Sequence, residues 1–391
     1  MKYQNARDIL PDELLTSVQE CFQGGYLYIP RKMENRPEQF RTAYKTELLK
    51  RDHHIFLKHL EGWSNGQLGE FYHLSAPSIR RILLREKRKA EKMNTEWKKI
   101  LSAWGIEPED IEQKYPAVWE INHQHMLKAY ESSKELKRNA KLLTVLSECG
   151  APVAGIIKTL NGKNHVEADG KYWLMTEKLP GSNRTDIRKP GTAYKMGETI
   201  ARLHGILRKC EQKITFWDNS LLDEMEGWIK QTLEENAWKP VSEQEYLFVT
   251  NQLRSRYGSL PKQLIHRDVH FGNFLFLNGE FSGYIDFDLS QRNIRIFDLG
   301  YFLAGLLTRE SGMKLEEDEW LRIACDVISG YESVDELRRE EKAALIFVME
   351  SIEILFAAYF IRTEDRICAE DAADIFHKLR DWEERIEKCL P

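Results

Sequence analysis

A polar loop between apolar runs, closed by a tight hairpin, constrains this chain more than any other stretch. Leu264-Ile265 ends a short apolar strand, His266 to Gly272 forms the loop, and Phe274–Leu277 begins another strand. Asn278-Gly279 is the pairing that a two-residue hairpin favours, because both residues tolerate positive φ. Phe274–Leu277 and Phe281–Ile285 are therefore predicted to pair as antiparallel strands. The loop then lies at one end of the hairpin, with Asp286 just past its return strand. Phosphoryl transfer needs a group to orient the attacking hydroxyl and ligands for the metal on the phosphates. Asp268 suits the first task. Asn273 and Asp286 suit the second, since Mg²⁺ takes oxygen ligands and completes its shell with water and phosphate. The pattern points to ATP- and Mg²⁺-dependent phosphotransfer. Neither His266 nor His270 has a Cys or His partner at a structural zinc spacing, and His266 reads as structural support for the loop. Asp288 shares a strand face with Asp286, so it either supports the metal site or sits in a solvated turn.

The order His-x-Asp-x-x-x-x-Asn, then Ile-Asp, then Asp298-Leu299 resembles the aminoglycoside phosphotransferase and choline kinase family. The resemblance runs from about Leu101 to the C-terminus. It implies an α+β chain with the two-lobed protein-kinase-like fold, residues 96–180 forming the N-lobe and 181–391 a helical C-lobe. It also implies that Asp268 is the catalytic base, Asn273 a metal ligand, and Asp286 the acid bridging metal and phosphates. Asp298 resembles the family's buried structural Asp, and Met196–His204 its helix between hinge and catalytic loop. Arg267 departs from the Gly that most members carry there and resembles the protein-kinase His-Arg-Asp triplet instead.

Upstream, Ala117–Asn122 and Met126–Tyr130 read as strands around the polar turn His123-Gln124-His125. Lys128 resembles the strand lysine that pairs the α- and β-phosphates in kinases. No Gly-rich loop precedes it: Gln113-Lys-Tyr-Pro-Ala117 stands there, and Pro116 lacks an N–H. Asn139 stands where the family has the lysine's Glu partner, which leaves Glu135, one helical turn earlier, as a candidate. Lys171–Gly181 is an apolar strand running into a Pro-Gly breaker, as an interlobe hinge requires. By resemblance, the backbone of Glu177 to Leu179 meets adenine and Met175 lines its pocket.

Charge separates the first quarter from the rest. Residues 1–98 hold 18 Lys and Arg against 13 Asp and Glu, in a chain of net charge −5. That asymmetry suggests two modules with different partners. Ser64-Asn-Gly-Gln67 is a capping-box start, and Ser75-Ala-Pro-Ser78 begins a second, basic helix. Two short helices with a tight turn read as a helix-turn-helix over residues 1–95. Leu10–Leu15 and Gly24–Pro30 resemble the Mor transcription activator-like family, which implies DNA binding and a dimer formed through Tyr26–Ile29. In that mode Ser75, Ala76, Ser78 and Arg81 meet base edges, while Arg80, Arg85 and Lys87–Lys89 meet phosphates. The bland reading is a helical protein-interaction module with a solvated basic face.

Six widely scattered Cys and no signal-peptide start suit a reducing cytoplasm. The longest apolar stretch, Ala343 to Ile361, is interrupted by Glu350 and Glu353, which argues against a membrane span. Those two acids lie on one helical face. They either meet a cationic substrate, such as an amino sugar or a choline-like amine, or pair with a neighbouring Arg. The sequence thus leads to a small-molecule kinase with an aminoglycoside-, choline- or homoserine-like acceptor, fused to a DNA-binding helix-turn-helix. Its rival is a ligand-sensing transcription regulator with an inactive kinase-like body.

Overall fold

The computed structural model describes residues 51–389, apart from 53, 57, 60, 61, 73, 184 and 185. The expected dimer strand Tyr26–Ile29 and the Mor-like segments lie outside the described residues. The chain divides into two compact units, Met1–Met93 and Asn94–Pro391.

In the first unit, Ser64 N–H donates to Gln67 Oε1 at 2.9 Å and Gln67 N–H returns the bond to Ser64 Oγ at 3.3 Å. This reciprocal cap starts helix α1, Asn65–Tyr72. Ser75 Oγ accepts from Ser78 N–H and so opens helix α2, Ala76–Leu101. Ile55, Leu68, Ile79 and Ile82 are buried together, with Trp63, Tyr72, Leu74 and Leu83 packed against them. A side chain at Gly69 would lie 2.9 Å from the Leu74 carbonyl, so only glycine fits that turn.

The second unit begins with a five-stranded antiparallel sheet in the order β1-β2-β3-β5-β4. The strands are β1 Ile111–Tyr115, β2 Val118–Ile121, β3 His125–Tyr130, β4 His165–Ala168 and β5 Lys171–Glu177, with helix α3, Ser133–Glu148, between β3 and β4. Alternation gives the sheet two different faces. Leu127, Ala129, Trp173 and Met175 join Trp97, Leu101 and Trp104 in one core, where the rings of Trp97, Trp119 and Trp173 touch mutually. Tyr130 and Leu174 face the other way and pack on Leu136 and Ala140 of α3.

Helices dominate the remainder: α4 Thr192–Cys210, α5 Leu221–Glu224, α6 Lys230–Glu235, α7 Glu243–Tyr257, α8 Ile296–Gly305, α9 Glu317–Glu332, α10 Arg339–Arg362 and α11 Arg366–Cys389. Two small antiparallel pairs interrupt them, β6 Lys262–Ile265 with β9 Gln291–Ile294, and β7 Phe274–Leu277 with β8 Glu280–Tyr284. Asn278 and Gly279 turn the second pair with φ of 55° and 83°, the conformation for which that dipeptide is suited. Helices α4 and α9 cross with their backbones in contact: a Cβ on Gly197 would sit 1.9 Å from the Val327 carbonyl oxygen, and one on Gly330 1.9 Å from that of Tyr194. Helix α10 is long and apolar enough to cross a membrane, yet 78% of its most apolar window is buried inside the protein. It is the central post of the helical lobe, packed by α7, α8 and α11.

Candidate active site

The loop after β6 is held from behind by one buried acid. Asp298, on the first turn of α8, accepts His266 N–H at 2.9 Å and Arg267 N–H at 2.7 Å. It also accepts from His204 Nε2 at 3.1 Å, and Tyr331 O–H donates to His204 Nδ1 at 2.7 Å. All three side chains are inaccessible, so each polar atom needs its partner. His266 Nε2 donates to the Ile285 carbonyl at 3.0 Å, while its Nδ1 accepts Asp268 N–H. Arg267 holds a left-handed φ of 69°, which is strained for any residue with a Cβ. Its guanidinium offsets that strain by forking onto both oxygens of Glu224, at 3.0 and 2.9 Å, and onto Gln291 at 2.7 Å.

These anchors present Asp268 inward. Tyr301 O–H donates to its Oδ1 at 2.6 Å, Asn273 Nδ2 donates to its Oδ2 at 2.9 Å, and His270 Nε2 lies 3.5 Å away. Burial alone would raise the carboxyl, but the His270 contact and the Tyr301 bond outweigh it and hold it at about 2. Asp268 is therefore ionised throughout the neutral range. Gly272 N–H donates to His270 Nδ1 at 3.0 Å, which fixes the tautomer with Nε2–H toward Asp268. Asp268 and its burial also push His270 in opposite directions, with a net rise. The amide contact opposes that rise, because a doubly protonated ring could not accept it.

Asn273 spends its amide nitrogen on the Asp268 carbonyl and carboxylate, both at 2.9 Å. Its amide oxygen has no protein donor among the described residues. Ile285 N–H donates to the Asn273 carbonyl at 3.1 Å, which brings the next residue, Asp286, beside it. Asp286 takes a positive φ of 61° and its half-exposed carboxylate accepts Lys128 Nζ at 2.8 Å through one oxygen. The ligand atoms left over are the Asn273 amide oxygen and the second Asp286 oxygen. Both are hard oxygens, which fit Mg²⁺. Among the described residues no group of three or more His, Cys, Asp or Glu could hold a metal alone. A cation here would complete its shell from phosphate and water.

Lys128 also lies 2.6 Å from Asp288 Oδ2. Burial would lower its pKa, but the charges of Asp288 and Asp286 raise it instead. Asp288 Oδ1 accepts from Tyr130 O–H at 3.2 Å and from Asn139 Nδ2, and Arg138 donates to its backbone carbonyl at 2.8 Å. Asp288 is thus not a solvated turn residue.

Several expectations are corrected. Glu135 is exposed on the first turn of α3, while the carboxylates on Lys128 are Asp286 and Asp288. Met175 pairs with Leu127 and lies in the core on the far side of the sheet. Leu174 and Thr176, opposite Lys128 and Met126, occupy the face that Met175 was expected to line. At the hinge, Glu177 N–H is bonded to Gly155 and Lys178 N–H to Gln124, both at 2.9 Å. The Leu179 N–H has no backbone acceptor among the described residues. Glu350 is a structural acid, 3.4 Å from Arg380. Glu353 is buried with no hydrogen-bond donor on it among the described residues; burial, and then the charge of Asp371, push its carboxyl up to about 8. Tyr301 packs on Phe356, three residues further along the same helix. A cavity of about 580 Å³ lined by Glu336, Arg339, Lys342 and Ile346 contains none of these groups.

In the first unit, Ser75 caps α2 and shares a 2.9 Å hydroxyl contact with Ser78. Arg85 is half exposed, but it is engaged by buried Asp52 and lies 3.5 Å from Glu86, so its guanidinium is already paired within this unit. Arg80, Arg81 and Ala76 are exposed.

Tyr301, His270, Tyr130 and Arg138 escaped the sequence reading. Only Tyr301 left a signal, because it stands three residues after Asp298 on one helix and so shares its face.

Comparison with known proteins places the chain among phosphotransferases. The phosphotransferase enzyme family matches residues 116–337. The homoserine kinase of Zymomonas mobilis subsp. mobilis (strain ATCC 31821 / ZM4 / CP4) is 24% identical over 318 residues, 75% of this chain and 92% of that one. Among solved structures, amicoumacin kinase hAmiN in complex with AMP-PNP, Ca²⁺ and Ami superposes with a TM-score of 0.57 at 19% identity, covering 78% of this chain and 97% of that one. A choline/ethanolamine kinase family protein from Mesorhizobium loti gives 0.54 at 13% identity, covering 77% and 98%. The chain belongs to the phosphotransferase enzyme family and is a small-molecule kinase.

Proposed function

We propose that this kinase transfers the γ-phosphate of ATP to a hydroxyl of a small amine-bearing molecule, with Mg²⁺ as the metal. One observation carries the reading: an ionised, largely enclosed Asp268 is braced by Tyr301 and Asn273, while Asn273 adjoins the Asp286–Lys128 pair. Asp268 accepts the acceptor hydroxyl and takes its proton late, since a carboxylate held at about 2 is a weak base. That weakness suits a loose transition state, in which positioning matters more than proton abstraction. Asn273 and Asp286 would hold the Mg²⁺, which when bound neutralises charge on the phosphate oxygens. Lys128 adds a fixed positive charge to the phosphates, and of the hinge amides from Glu177 to Leu179 the one left for adenine is that of Leu179. His266 and Asp298 keep the loop in register.

Glu353 supports an amine on the acceptor. A buried carboxylate without a donor is unfavourable until a cation meets it, and the relatives are named for homoserine and for choline or ethanolamine. The experiment is transfer from labelled ATP to a panel of hydroxylated amines, with products identified by mass. Asp268→Asn should lose at least ~10²-fold in turnover; a variant with full turnover would remove Asp268 from this role.

A second reading concerns the first unit. The α1–α2 pair exposes Arg80 and Arg81 next to the start of α2, the position that a helix-turn-helix presents to base edges. We propose duplex DNA as its partner, with Ala76 and Ser78 at the bases. Selection from random duplexes tests this. Salt-sensitive binding with no sequence preference would leave only phosphate contact.

A further inference from the structure

We infer that Asp288 is the counter-ion that positions Lys128, in place of a helix glutamate, and that Asn139 is its matched neutral partner. The inference rests on the kinase reading above. A lysine ammonium on a flexible stem needs a fixed opposite charge to stay extended toward phosphates. Asn139 carries no charge, and the nearby Glu135 is exposed on the first turn of α3. The two acids that do touch Lys128 differ in how they are held. Asp286 has a half-exposed carboxylate with the lysine as its one donor among the described residues, so it is free to turn to a metal. Asp288 is fixed on several sides: Asn139 Nδ2 and Tyr130 O–H at Oδ1, Lys128 at Oδ2, and Arg138 at its backbone carbonyl.

The neutral donors fill one oxygen and leave the other for the ammonium. Asn139 is itself buried, and its amide nitrogen donates both to Asp288 and to the Tyr130 hydroxyl that bonds the same carboxylate. A glutamate at 139 would set a second carboxylate against Asp288, and two like charges in one partly buried site disfavour each other. The asparagine is therefore a reciprocal replacement: the negative charge has moved from the helix to the segment after Asp286, and the amide has moved the other way.

Titration of the full chain with ATP and Mg²⁺, read by calorimetry, tests this without any acceptor. Asp288→Asn should weaken nucleotide binding at least tenfold, and in turnover should raise KM for ATP while leaving KM for the acceptor unchanged. Asn139→Glu alone should also weaken it, and Asn139→Glu with Asp288→Asn should recover most of the loss. Glu135→Gln should bind as the parent does. Unchanged affinity in Asp288→Asn, an Asn139→Glu variant that binds as well as the parent, or a double variant no better than Asp288→Asn would each overturn the inference. Circular dichroism melts of each apo variant identify any that fail to fold; for Asp288→Asn, Asp288→Glu then serves, with partial recovery expected and none overturning the claim. If the parent binds ATP and Mg²⁺ yet transfers to no acceptor, the kinase reading falls while the affinity pattern still judges Asp288. If the parent binds no nucleotide, both fall.

Discussion

Replacing Glu353 by Gln removes a buried acid whose protonation links stability to pH. The side chain is 4% exposed, and burial raises its carboxyl from 4.5 to about 8. The folded state therefore binds this proton more tightly than the unfolded chain does. The resulting stabilisation is complete below about 4.5, falls as pH rises, and is gone above about 8. A full shift of one pKa unit is worth ~1.4 kcal/mol, and relaxation and water entry reduce the effective sum, so the loss between pH 5 and 8 should be roughly 2–3 kcal/mol. Gln keeps the shape without the ionisation. Glu350 is also raised to about 8 by burial, so the parent and the variant share that background and only their difference isolates Glu353. Urea unfolding at pH 5, 6.5 and 8 should show Glu353→Gln close to the parent at pH 5 and more stable by about 2 kcal/mol at pH 8. An amine acceptor added at pH 8 should stabilise the parent and not the variant. Parallel stability curves, with no pH-dependent gap, would refute the reasoning.

Gly330→Ala places a methyl 1.9 Å from the Tyr194 carbonyl oxygen and should cost at least ~3 kcal/mol by overpacking; Gly305→Ala, which meets nothing within 4 Å, should melt close to the parent. Arg267→Ala strands Glu224, since both side chains are less than a fifth exposed, and should cost ~2 kcal/mol in urea; adding Glu224→Gln should restore part of it. Tyr301→Phe removes the 2.6 Å bond to Asp268 and should lower kcat roughly tenfold with KM for ATP unchanged. A drop confined to KM would place Tyr301 in nucleotide binding instead.

The hairpin and its flanking loop were legible because their signals are local. Asn278-Gly279 states its own φ preference, and the apolar alternation on either side states the pairing. The errors all involve register or distant partners. Met175 and Leu174 are adjacent and both apolar, and only the pairing of Lys128 with Leu174 decides which shares the lysine's face. The lysine's second acid comes from far along the chain, so no helix spacing could announce Asp288. Glu350 and Glu353 share one stripe of α10, yet a rotation of about 60° per three residues separates them. One reaches Arg380 on α11 and the other the neighbourhood of Tyr301 on α8. Arg85 looked free because its partner, Asp52, stands well upstream.

The notches at Gly197 and Gly330, where two backbones touch, leave no slack behind the loop that carries Asp268. His204 rises from one of those helices and Tyr331 from the other, and their hydrogen bonds run in series to Asp298. Close-packed contacts of this kind do not deform gradually. The loop is thus the stationary jaw of a clamp. Across from it, the strand and helix that carry Lys128, Tyr130 and Arg138 meet the loop segment at Asp288.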